Sequence, residues 1–101
     1  MSVNLKAITS CLGYQQITSL SAAASLTVPT VDTNGLSVKP TIAIITAEGA
    51  AVRWRDDGTD PTGTVGMPLA SGVTLQYDGD LARIRFIQQA SGGIINVSYY
   101  A

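Results

Sequence analysis

The chain predicts an all-β fold, an antiparallel β-sandwich of about seven or eight strands. Three observations predict it. Val, Ile and Thr recur in short runs with period-two alternation. Turn residues punctuate the chain at intervals of about eight to twelve positions, the spacing of a sandwich or barrel. No stretch carries a 3.6-residue apolar period, and the most helix-friendly run, Ala22–Ala24, is too short to form a helix.

The elements follow in chain order. Residues 1–13 lack periodicity and read as an extended arm. Residues 14–19 form the first strand, and residues 24–28 alternate until Pro29 stops them. Asn34-Gly35 is the strongest turn dipeptide, because both residues tolerate positive φ, and residues 36–38 return from it. Pro40 leads into residues 41–47, where Ile42, Ile44 and Ile45 suggest a central strand covered on both faces. Glu48-Gly49 turns the chain into residues 51–55, with Val52 and Trp54 on one side and Arg53 and Arg55 on the other. The Gly- and Pro-rich residues 56–69 read as a long loop. A meander closes the chain. Residues 73–77, 81–87 and 94–100 form its strands, and Asp78-Gly79 and Ser91-Gly92-Gly93 form its turns. Residues 1–101 thus read as one domain built from two packed antiparallel sheets, with a jelly roll or a small barrel as the alternatives.

A chain of 101 residues can bury a real core without staples. Cys11 is the only cysteine, so no internal disulfide can form, and the lone thiol fits synthesis in a reducing cytoplasm. The net charge of -1 supplies no basic patch for nucleic acid. No run approaches the roughly 20 apolar residues of a membrane helix. The N-terminus lacks the basic segment and apolar run of a secretory signal. With 46% apolar and 13% charged residues, the surface is more typical of a subunit that stays assembled than of a free monomer.

Catalytic equipment is sparse. There are no histidines, which removes the commonest general base and zinc ligand. No phosphate-binding loop or dinucleotide fingerprint occurs. Asp56, Asp57 and Asp60 cluster in the long loop, and Asp78 and Asp80 flank a turn. Paired acids could serve glycoside hydrolysis or calcium binding, but the spacing does not match an EF-hand. Asp in turns bonding its own backbone is the simpler account. No catalytic residue, metal ligand or cofactor site is assigned.

Arg53-Trp54-Arg55 and Arg83-Ile84-Arg85 hold four of the six positive charges. The strand period puts each arginine pair on one face. That face is either a solvated exterior balanced by nearby aspartates or a docking surface, since arginine is enriched at interfaces. Trp54 reads as a core anchor. Of Tyr99 and Tyr100, alternation leaves only Tyr100 outside, where it would serve as an interface contact. The candidate interface residues are therefore Arg53, Arg55, Arg83, Arg85 and Tyr100.

Taken together, the C-terminal half has a distinctive motif order. Val52-Arg53-Trp54-Arg55-Asp56-Asp57-Gly58-Thr59-Asp60-Pro61-Thr62 precedes Val65-Gly66-Met67-Pro68-Leu69. Tyr77-Asp78-Gly79-Asp80-Leu81, Ile84-Arg85-Phe86-Ile87 and Asn96-Val97-Ser98-Tyr99-Tyr100 follow. This order resembles small virion-associated structural proteins of tailed bacteriophages and prophages. The resemblance implies a non-enzymatic particle component, made in the bacterial cytoplasm and resident in the virion. It implies a capsid decoration or cement protein on the major capsid protein or another virion protein, often as a homotrimer. Neck, tail and fibre accessory roles, and a carbohydrate-binding module for host attachment, are the alternatives.

Overall fold

The computed structural model describes residues 10–33 and 35–101. All ten regular elements among them are strands: β1 (Cys11–Ile17), β2 (Ala24–Ser25), β3 (Val31–Thr33), β4 (Leu36–Val38), β5 (Ile42–Glu48), β6 (Val52–Arg55), β7 (Met67–Leu69), β8 (Thr74–Tyr77), β9 (Arg85–Gln88) and β10 (Ile94–Tyr100). The first sheet runs β1-β10-β5-β8 and the second β2-β9-β6-β7, and β3 and β4 form a separate hairpin. Every pairing is antiparallel. With the hairpin set aside, eight strands are shared between two sheets, and most neighbours are distant in sequence, a connectivity of the jelly-roll kind.

Both sheets feed one buried cluster. Ala43, Ile45 and Ala47 enter from β5, Tyr77 from β8, and Ile95, Val97 and Tyr99 from β10. Val52, Leu69 and Phe86 enter from the second sheet, with Leu20, Leu26, Leu81 and Ile84 closing the ends. Alternation explains the selection. β10 reads half-buried and buried by turns over its whole length, so Ile95, Val97 and Tyr99 point inward. Each large apolar side chain removed from water in this way contributes roughly 1.5–3 kcal/mol.

Several elements differ from their sequence-based expectation, each for a physical reason. Residues 11–13 are not part of an arm. They belong to β1, which pairs with Tyr99 and Tyr100 through a bulge between Cys11 and Gly13, while residues 1–9 lie outside the described residues. The first strand accordingly ends at Ile17 and not at residue 19. The expected strand over 24–28 keeps only two paired residues. β5 is not covered on both faces: Ala43, Ile45 and Ala47 are buried, whereas Ile42, Ile44 and Thr46 are half-buried on the outer side. The long loop ends early because residues 67–69 form β7. Pro68 is tolerated there because β7 is an edge strand. Residues 81–83 form a turn, in which the Arg83 and Ile84 amides donate to the Asp80 carbonyl, so β9 begins only at Arg85. The Asn34-Gly35 turn does connect a hairpin, with Gly35 at φ 79°, although Asn34 itself lies outside the described residues. Gly49, at φ 81°, turns β5 into β6 so close to the 92–93 turn that a Cβ there would stand 2.2 Å from the Gly92 carbonyl oxygen.

Candidate functional site

The second sheet carries the arginines. β6 presents Arg53 and Arg55 to the outside, half-buried, and Arg55 lies directly across from Arg85 on β9. Two like charges in register repel one another. The segment between β6 and β7, residues 56–66, folds back and neutralises them. Arg55 donates from Nε and Nη2 to the two carboxylate oxygens of Asp57, a bidentate pair. Arg85 Nη1 donates to Asp60 Oδ1 at 2.8 Å. Arg53 Nη1 donates to the Gly66 carbonyl at 2.8 Å, and its Nε and Nη2 reach the oxygen of the Gln89 amide, oriented to accept, at 3.1 and 3.2 Å. Arg83, from the turn before β9, lies over Gly58, where a Cβ would stand 2.6 Å from its Nη2. Arg53, Arg55 and Arg85 therefore bond the loop to the sheet, and Arg83 lies against it. The hydrogen bonds from Arg55 hold the Asp57 carboxyl down at about 2, against the cost of desolvation and with help from the Thr59 amide. The sequence pattern places Arg53 and Arg55 on one face correctly. Arg83 and Arg85 do not share a strand face, because Arg83 lies in the turn.

The aspartates separate. Asp56 accepts from the Tyr77 hydroxyl at 2.6 Å, Asp57 from Arg55 and Asp60 from Arg85. Three carboxylates within five residues thus face three different partners. Among the described residues no group of three or more Asp, Glu, Cys or His could hold a metal ion. Asp80 bonds its own turn through the Ala82 amide at 3.0 Å. Open clefts are present among the described residues. One of about 400 Å³ lies between residues 39–41 and 78–82, and one of about 380 Å³ lies between Arg55–Asp57 and Val65–Met67. The first is lined by Asp78 and Asp80 beside Lys39, and the second by Asp56 and Asp57, whose carboxylates are taken up by Tyr77 and Arg55.

The aromatic residues point mostly inward. Tyr99 is buried and donates to Gln15 Oε1 at 2.6 Å. Tyr77 is buried and meets half-buried Trp54 edge-to-face, with ring centroids 5.9 Å apart. Burial pushes both hydroxyls up to about 12, and for Tyr77 the hydrogen bond to Asp56 adds to it. A sugar platform of Trp54, Tyr77 and Tyr99 is therefore not presented to solvent.

The outer face of the first sheet is the broadest feature that the sequence analysis missed. Tyr14 and Gln16 of β1 lie beside Ser98 and Asn96 of β10, which lie beside Ile44 and Thr46 of β5. Tyr100 sits opposite Ile42 in the same plane, half-buried, and accepts a hydrogen bond from Ser98. The Tyr14 hydroxyl and Gln16 Nε2 both donate to Asn96 Oδ1, and Asn96 Nδ2 donates to Glu48 Oε1 at 2.6 Å. Thr46 and Thr74 hydroxyls stand 3.1 Å apart. Glu48, at one end, is the only charged residue in these three strands. Cys11 is exposed at the margin, with Sγ 3.7 Å from Ser98 Oγ. The alternation Asn96-Ser98-Tyr100 signals this face, but its breadth depends on pairings remote in sequence.

Fold and surfaces together define an all-β domain whose notable exterior features are a loop-capped sheet and a sheet face with a single charge, Glu48, at one end. Comparison with protein-family models, with curated proteins and with solved structures found no match.

Proposed function

We propose that the chain is a non-enzymatic structural protein of a tailed-bacteriophage particle, a capsid decoration or cement subunit on the outer surface of the capsid lattice. The observation that carries this reading is the outer face of the first sheet, with Tyr14, Ile42, Ile44, Ser98 and Tyr100 exposed or half-buried and free of charge. Such a face suits docking against protein, because few charges must lose water on contact. The motif order of the C-terminal half supports the phage assignment, and jelly-roll sheets are a framework that viral capsid domains use. The arginines support a rigid scaffold more than a docking patch, since their hydrogen bonds are directed inward to the 56–66 loop. In this reading the partner is the major capsid protein or another virion protein, and many modest contacts repeated over a lattice bind firmly together.

The test is the composition of purified particles. The protein is expected in mature virions at a stoichiometry tied to the capsid lattice, read by gel densitometry and located by cryo-microscopy. Its absence from mature particles would overturn the proposal, and its confinement to the neck or tail would move it to an accessory role there.

A further inference from the structure

We propose that β1 is a self-pairing edge, at which two copies of the chain join their Cys11–Ile17 strands antiparallel about a two-fold axis near Tyr14 and merge two four-stranded sheets into one of eight. The two sheets expose four edge strands: β1, β8, β2 and β7. Native sheets protect such edges by shortness, proline or charge. β2 has two residues, and β7 has three with Pro68 at its centre. β8 has four and runs straight into Asp78-Gly79-Asp80. β1 has seven residues, none charged and none proline, and its one bulge, between Cys11 and Gly13, lies at its N-terminal end. One side of its backbone pairs with β10, and among the described residues no strand lies on the other. An uncharged edge of this length, regular from Gly13 to Ile17, is an open template for another strand.

Charge and length choose the occupant. β1 itself carries no charge, and the one charged residue in the strands beside it is Glu48, on β5 two strands away, where it is bonded to Asn96. A charged partner strand would lose water there without gaining a counter-charge. A second β1 is uncharged and of equal length, so its ladder ends where this one ends. A two-fold axis makes the contact antiparallel and closes both edges at once, leaving a finite assembly. It also brings the two Tyr14 side chains, each 64% exposed, into a cross-strand pair. The hydrogen bonds of Tyr14 and Gln16 to Asn96 fix both side chains on that face of the sheet, with their polar ends turned toward β10. The inference does not rest on the virion reading. It gives this surface two-fold symmetry, where the phage resemblance implies a trimer.

Sedimentation equilibrium of the full chain is expected to give twice the 10.5 kDa chain mass. Tyr14→Lys places two ammonium groups at the axis and is expected to weaken the dimer at least about tenfold while circular dichroism stays that of the folded sheet. Gln76→Lys, on the β8 edge, is expected to leave the dimer intact. Tyr14→Cys combined with Cys11→Ser is expected to form a disulfide-linked dimer on oxidation, because side chains facing one another across an antiparallel pair are within bridging reach. A monomeric or trimeric wild type, or a folded Tyr14→Lys protein that dimerises as tightly as wild type, would overturn the proposal. Should Tyr14→Lys not fold, failure of the cysteine variant to cross-link would overturn it equally.

Discussion

Individual side chains show where burial has changed chemistry. Tyr99 and Tyr77 insert their rings into the shared core and keep their hydroxyls bonded, to Gln15 and Asp56 respectively. Both hydroxyls are held near 12, above the ordinary 10.0, because a phenolate would be formed out of water. The consequence for stability has a definite sign. Between pH 10 and 12 the unfolded chain releases these protons and the folded chain retains them, so the folded state binds more protons and stability falls as pH rises. We expect the urea midpoint to be lower at pH 11 than at pH 9. Tyr99→Phe should remove part of that slope and cost about 1 kcal/mol at neutral pH through the lost hydrogen bond. An alkaline slope unchanged in Tyr99→Phe would show that the hydroxyl is not held as described.

At the scale of elements, the 56–66 loop is ordered by the sheet beneath it. Arg55 and Arg85 together should hold it closed, and exposed ion pairs of this kind govern local opening more than global stability. Arg55→Gln with Arg85→Gln should raise the rate of cleavage within the loop, by a protease specific for acidic residues, about three- to tenfold, with little change in the unfolding midpoint. Asp78→Asn, outside the loop, should leave the rate unchanged. Because Asp57 is held at about 2, below its ordinary 3.8, its anchoring is fully present above about pH 4 and is lost as pH falls through 2. The arginine spacing was legible in the sequence, and its partners were not, since only the folded loop brings Asp57 and Asp60 to the sheet. Residues 94–100 were legible from end to end because strict alternation coincides with one-sided burial. Ile42, Ile44 and Ile45 misled because a run of isoleucines looks the same whether its second face is covered or open. β7 was hidden by Pro68, which disfavours a central strand but not an edge. The Tyr14–Asn96 face was hidden for a different reason: it depends on β1 meeting β10 across nearly the whole chain.

The molecule as a whole is organised by that same remote pairing. β10 lies between β1 and β5, and the Ser10 and Ala101 backbones exchange hydrogen bonds of 2.9 and 3.1 Å. Within the two sheets only β6 and β7 are neighbours both in sequence and in space. Formation of the core must therefore wait for closure of long loops, and such topologies fold in roughly milliseconds to seconds. Elements should then differ sharply in how far the fold depends on them. Removing β10 by ending the chain at Gly93 takes Ile95, Val97 and Tyr99 from the core and unpairs both β1 and β5, so no folded protein is expected by circular dichroism. Even the single change Ile95→Ala should cost about 2–5 kcal/mol. The β3–β4 hairpin is the opposite case. It pairs only with itself, none of its described residues belongs to the buried cluster, and Leu36 is 69% exposed. Val31 and Val38 face each other at its base, roughly 5 Å apart, so the chain leaves for the hairpin and returns from it at one place. Replacing residues 31–38 with a short Gly-Ser bridge should preserve the sheet spectrum and a cooperative thermal transition. Loss of cooperativity in that variant would mean that the hairpin, and not the eight strands of the two sheets alone, is part of the folding unit.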